Sequence, residues 1–318
     1  MKRALAVGID SYERFSPLFG CVNDVQALEP LLRCHDDGSP NFETAVLAAG
    51  REGGRVTRDQ LLAAVERLLT SPADQAVLYF AGHGAEVRGD VALVTSDATE
   101  GTPGLLFAEV LSLIERSPVR EIIVLLDCCF SGGAGRVPMV ATGSVIKPGL
   151  SIISASRDTE TSAETVDGRG QFSSYLEGAL EGGAAEVTGE VSVAGAYAYV
   201  SEAFGAWEQR PTLKSNIERV SALRRCTPLV DLGTLRNLAQ WFPGPFDHFP
   251  LDPSYEDTAE PRNAEHEAIF KQLQKCSYVK LIEPVDEEYM YFAAMNSTAC
   301  RLTPLGRRYH RLASMGRL

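Results

Sequence analysis

The stretch Glu121-Ile-Ile-Val-Leu-Leu-Asp127-Cys128-Cys129-Phe130-Ser131-Gly132-Gly133 constrains the fold more than any other part of this chain. The apolar run from Ile122 to Leu126 stands between charged residues, which predicts a strand buried on both faces, as in a parallel sheet. It runs into Asp-Cys-Cys and breaks at Ser-Gly-Gly. Open parallel sheets bind ligands beyond the carboxyl ends of their strands, so a thiol here lies where such sheets do chemistry. A second run, Gln75-Ala-Val-Leu-Tyr-Phe-Ala-Gly82-His83-Gly84, ends in a histidine between two glycines. Neighbouring strands of this kind bring an imidazole and a thiol to one edge, and an adjacent imidazole activates a thiol. The flanking glycines allow close backbone approach and offer N–H groups to an oxyanion.

Other short apolar runs repeat the pattern. Arg3 to Ile9, Ala45 to Ala48 and Leu150 to Ser154 predict further buried strands, and Val91 to Thr95 a short strand or hairpin arm. Asp10 to Pro17 reads as loop. Between the strands, a helix carries Val25, Leu28, Leu31 and Leu32, with Asn23 as its expected N-cap. Thr57-Arg-Asp-Gln60 is a capping box opening a second helix. Helices are also expected over Leu106–Ile114, Phe172–Leu180 and Val191–Phe204. Buried strands alternating with amphipathic helices predict an α/β fold, a mostly parallel central sheet with helices on both faces.

Composition changes after Cys226, so residues 1–226 and 227–318 are read as separate domains. The second is rich in Pro, Asp and aromatics. It offers helices at Leu232–Trp241 and Ala264–Lys275, strands at Leu281–Val285 and Tyr289–Ala294, and a closing basic helix after Thr303-Pro304. This order predicts a small α+β, winged-helix-like domain. A formal net charge of −12 argues against nucleic acid and polybasic membrane partners. Seven cysteines without a C-x-x-C pair suggest reduced thiols rather than a zinc site or disulfide framework. Met1-Lys-Arg followed by Ala4 to Gly8 is too short an apolar stretch for a signal peptide. A cytoplasmic location without a membrane anchor is the resulting expectation.

Several pieces in order carry a family likeness: Ala6-Val-Gly-Ile-Asp10-x-Tyr12, Gly20-Cys-Val-Asn-Asp24, Tyr79-Phe-Ala-Gly-His-Gly84, Asp127-Cys-Cys-Phe-Ser-Gly132, Ser154-Ala-Ser-Arg-Asp158 and Pro211-Thr-Leu-Lys-Ser-Asn216. Over roughly its first two-thirds the chain resembles the caspase and metacaspase superfamily of cysteine proteases, especially bacterial members. The resemblance implies a caspase-like sandwich in which His83 and Cys129 form the dyad. The family pattern Asp-x-Cys-x-Ser-Gly puts the nucleophile at the second thiol, so Cys128 is expected as a buried neighbour. Backbone N–H groups of Gly84 and Cys129 would bind the oxyanion. Metacaspases usually carry His where Phe130 stands, a position without a catalytic role.

Asp127 matches the place of a glutamine in animal caspases, which read aspartate. A carboxylate there repels an acidic side chain and pairs with a cation. Asp24 matches the second pocket carboxylate of metacaspases, and Ser156 is a further candidate pocket residue. Cleavage after Arg or Lys follows as the expectation. Arg136, Lys147 and Arg169 lie where family members are processed and are candidate maturation sites. No cofactor is expected; calcium, used by many metacaspases, would have Asp90 and Asp97 as ligands, without an obvious full aspartate cluster. The resemblance further implies a regulated effector in defence or cell death, protein substrates and an upstream activating protein or protease. Plainer readings stand beside these. A lone Cys after a buried strand is usually core, Asp24 and Asp127 suit caps, and Ser154 and Ser156 suit a strand end. His35, His248, His266 and His310 suit the surface. A silent scaffold, or a DNA-binding regulator using the C-terminal domain, is the alternative function.

Overall fold

The computed structural model describes residues 1–87, 89–131, 146–155, 168–205, 211–217 and 221–318, with backbone alone at 129–131. Two compact units emerge, Met1–Ala185 with Glu190–Thr227, and Pro228–Leu318 with Glu186–Gly189.

In the first unit, β1 (Lys2–Ile9), β2 (Glu43–Ala49), β3 (Gln75–Val87), β6 (Glu121–Ser131) and β7 (Leu150–Ser154) form parallel pairs. They lie in the order β2-β1-β3-β6-β7-β9, where β9 (Thr212–Asn216) is antiparallel to β7. A hairpin arm β4 (Asp90–Val94) folds back on β3, β5 (Gly104–Leu106) pairs with β4, and β8 (Glu190–Ser192) and β10 (Ala222–Arg225) form a separate antiparallel pair. Because side chains alternate between the two faces and both faces are covered, β6 is apolar from Ile122 to Leu126. Ile122, Val124, Leu126 and Cys128 face one core, with α2 (Arg58–Thr70) and α3 (Phe107–Arg116). Ile123 and Leu125 face the other, with α1 (Cys21–Arg33), α4 (Gln171–Gly178) and α5 (Val193–Ala203). The sheet is thus covered on both faces, and the fold is an α/β sandwich with a mostly parallel central sheet.

Two local details differ from expectation. The strand expected to end at His83 continues to Val87, and its partner to Ser131, because β4 and β6 together pair the backbone beyond Gly82. The first helix starts at Cys21 rather than after Asn23. Asp10, at the end of β1, accepts from Cys21 N at 2.9 Å and Val22 N at 3.3 Å, so the helix borrows a distant cap. The capping box at Thr57 and Gln60 forms as its spacing demands.

The second unit packs α6 (Leu232–Trp241), α7 (Ala264–Tyr278) and α9 (Pro304–Ser314) with a three-stranded antiparallel sheet, β11 (His248–Pro250), β13 (Ala299–Leu302) and β12 (Ile282–Val285) in that order. Tyr289–Ala294, expected as a strand, is instead the N-cap and body of α8 (Met290–Met295). Met290, Ala293 and Ala294 recur at helical spacing and are buried, and this overrides the strand preference of Tyr291 and Phe292. The histidines also differ from a surface reading. His35 and His310 are buried, His35 accepting from Arg225 N and His310 Nε2 donating to Phe242 O. His266 stacks on Tyr255 at 4.2 Å, whereas His248 is exposed.

Candidate active site

The β3–β6 ladder sets the centre of the site. It pairs Gly82 with Cys128 and His83 with Cys129, and paired residues on adjacent strands lie about 5 Å apart. His83 Nε2 is 2.8 Å from the Ser16 carbonyl oxygen. A carbonyl only accepts, so Nε2 carries the ring proton and Nδ1 holds the free lone pair. The ring also lies against Tyr12, with centroids 4.8 Å apart, and near Phe15 at 6.2 Å. The Tyr12 hydroxyl accepts from His83 N at 2.9 Å and donates to Ile9 O at 2.8 Å. Gly82 permits this approach, since a Cβ there would meet that hydroxyl at 2.8 Å. Tyr12, Phe15 and Ser16 all lie in the segment that reads as plain loop in the sequence. Tyr12→Phe leaves the His83 N–H without its acceptor. We expect a loss of about 1–2 kcal/mol in stability, read by thermal denaturation.

The two carboxylates are brought together by the fold, both against Gly170, rather than acting as caps. Asp24 lies in the first turn of α1 and is 2% exposed; Asp127 lies on β6 and is 7% exposed. Gly170 sits between them: its N–H donates to Asp24 Oδ2 at 3.1 Å. A Cβ on residue 170 would stand 2.5 Å from Asp127 Oδ2 and 2.9 Å from Asp24 Oδ2. Tyr79 OH donates to Ser173 Oγ at 2.6 Å, and Ser173 Oγ in turn donates to Asp127 Oδ2. Arg169 Nε donates to Asp24 Oδ1 at 2.9 Å, and its Nη1 pairs with Glu177. Burial, followed by the negative charge of Asp127, pushes the Asp24 carboxyl up to about 7, against the pull of Arg169 and Gly170 N. The result is a recess whose two acids are held close by tertiary contacts.

The model of the family described as "Caspase domain" matches residues 1–221. The chain belongs to the caspase-domain family. Metacaspase-1 of Mycosarcoma maydis is 27% identical over 221 residues, covering 61% of this chain and 54% of that protein. Metacaspase-3 of Trypanosoma cruzi is 28% identical over 162 residues, covering 45% and 43%. The chain thus spans about half the length of these curated relatives. A crystal structure of a Geobacter sulfurreducens protein shares the fold at 17% identity and a TM-score of 0.52, covering 70% of this chain and 96% of that one.

The remaining expected site residues of this caspase-domain chain fall as follows. Cys128 is buried in the core. The side chain of Cys129, and Ser156 and Arg136 altogether, lie outside the described residues. Lys147 Nζ is anchored on the carbonyls of Ile114 and Ser117, and Arg169 is committed to the recess. Asp90 and Asp97, the calcium candidates, do not share a site. Asp90 accepts from Val91 N and from Ala108 N in α3, whereas Asp97 accepts from Arg58 N in α2 and from Thr95 Oγ1. Among the described residues no three His, Cys, Asp or Glu side chains converge as metal ligands, so these residues do not fit a calcium ion. Nor is any described helix long and apolar enough to cross a membrane.

Proposed function

We propose that this chain is a cysteine endopeptidase that cuts polypeptides after Arg or Lys. The single observation that supports the reading is the ladder pair of His83 with Cys129, on the strand that also carries Asp127. His83 Nδ1 takes the Cys129 thiol proton, and the Ser16 carbonyl, bonded to Nε2–H, steadies the imidazolium that forms. The thiolate attacks the scissile carbonyl carbon, and the resulting oxyanion is met by the N–H groups of Gly84 and Cys129. The C–N bond breaks as the imidazolium gives its proton to the leaving amine, leaving a thioester. His83 then draws a proton from water; the hydroxide attacks, the C–S bond breaks, and the thiol is restored. Asp24 and Asp127 hold the basic side chain that precedes the cut.

The test is a comparison of fluorogenic peptides ending in Arg, Lys and Asp. Arg and Lys peptides are expected to be turned over at least roughly 100-fold faster, because like charges in a buried recess cost several kcal/mol. Faster turnover of the Asp peptide overturns the specificity. The family likeness also supports an effector role in defence or cell death, with residues 227–318 docking an upstream activator. Growth arrest on expression of the active chain but not of Cys129→Ala is the expected outcome.

A further inference from the structure

The recess already holds a guanidinium. Arg169 precedes Gly170, the residue seated between Asp24 and Asp127, and its Nε lies 2.9 Å from Asp24 Oδ1. Its side chain is 18% exposed and Asp24 is 2% exposed, so the pair is shielded from water. The second arm of the fork, Nη1, reaches Glu177 at the end of α4, whose side chain is 25% exposed. One cation therefore bridges a buried carboxylate and an outer one.

We propose that Arg169 is a resident cation of the recess that competes with the substrate's basic side chain for Asp24. The proposal rests on reading the recess as the place for that side chain. A substrate cation and the Arg169 guanidinium need the same carboxylate face. Buried charges are not left unpaired without a large cost, and the arrangement avoids that cost. Gly170 N keeps Asp24 in place, the entering cation replaces Nε on Asp24, and Arg169 remains on Glu177. Entry thus exchanges one ion pair for another. Apparent affinity is reduced by the fraction of time Asp24 is paired internally, so Arg169 sets the threshold at which a basic side chain is accepted.

Benzamidine and agmatine, two small cations, test this by calorimetric titration into the full chain carrying Cys129→Ala, which separates binding from hydrolysis. With Arg169→Gln added, both are expected to bind at least about tenfold more tightly than with Arg169 present. Arg169→Lys, which keeps a charge but loses the fork, is expected to fall between, and it decides the matter if Arg169→Gln does not fold. Asp24→Asn added to Arg169→Gln removes the gain. Equal or weaker binding in the foldable Arg169 variants overturns the proposal, even if the wild type cuts after Arg. Tighter binding in those variants supports it, even if no peptide is hydrolysed, in which case only the peptidase reading fails.

Discussion

His83→Ala is expected to lower hydrolysis of an Arg-ending peptide by roughly 10³-fold or more, with KM little changed. The imidazole is paired with Cys129 on the ladder and can take up and return a proton. Its Nδ1 lone pair exists because Ser16 O claims the proton on Nε2. Without the ring the thiol remains mostly protonated at neutral pH, and the leaving amine has no acid. Steady-state kinetics decide the point. A KM effect with intact kcat contradicts the assignment, since it would make His83 a binding residue.

The second large effect concerns the recess. Asp127→Asn is expected to weaken kcat/KM for Arg peptides by about 2–4 kcal/mol, roughly 30- to 1000-fold, while peptides ending in an uncharged residue change little. The Asn keeps an acceptor for Ser173 Oγ but removes the charge. Asp24 adds a pH dependence. Its carboxyl, raised to about 7 by burial and by Asp127, is neutral below that pH and negative above it. KM for Arg peptides is therefore expected to fall as pH rises from 6 to 8. Because His83 acts on kcat, the two are separated by reading KM and kcat apart. In Asp24→Asn the KM limb should vanish; a limb that persists contradicts the role given to Asp24.

What the sequence made legible was whatever repeats locally. The unbroken apolar run along β6 predicts a doubly covered strand, and the Thr57 capping box predicts the start of α2; both form. The two acids were visible as residue types in the right order. Their surroundings were not, because they come from far along the chain. Arg169 meets Asp24 across 145 positions, Tyr12 meets His83 across 71, and Ser173 meets Asp127 across 46. No periodicity encodes such contacts. Ser173 lies between the core residues Phe172 and Leu176 on a short helix, and its polar type on a buried face was the one available signal. Asp10 escaped as a cap for the same reason, acting on a helix that begins 11 residues later. In the second unit, β13 escaped because Cys300 and Leu302 alternate with Arg301 over too few residues to outweigh the aromatic run before it.

The most direct test of the central claim, that the ladder joins a working imidazole and thiol beside an acidic recess, is covalent labelling. An arginyl chloromethyl ketone is added to the full chain, and each thiol is located by peptide mass analysis. The account predicts a single adduct on Cys129, formed more slowly in His83→Ala and suppressed by excess benzamidine. An adduct spread over Cys21 and Cys34, or one on Cys129 indifferent to His83 and to benzamidine, would contradict it.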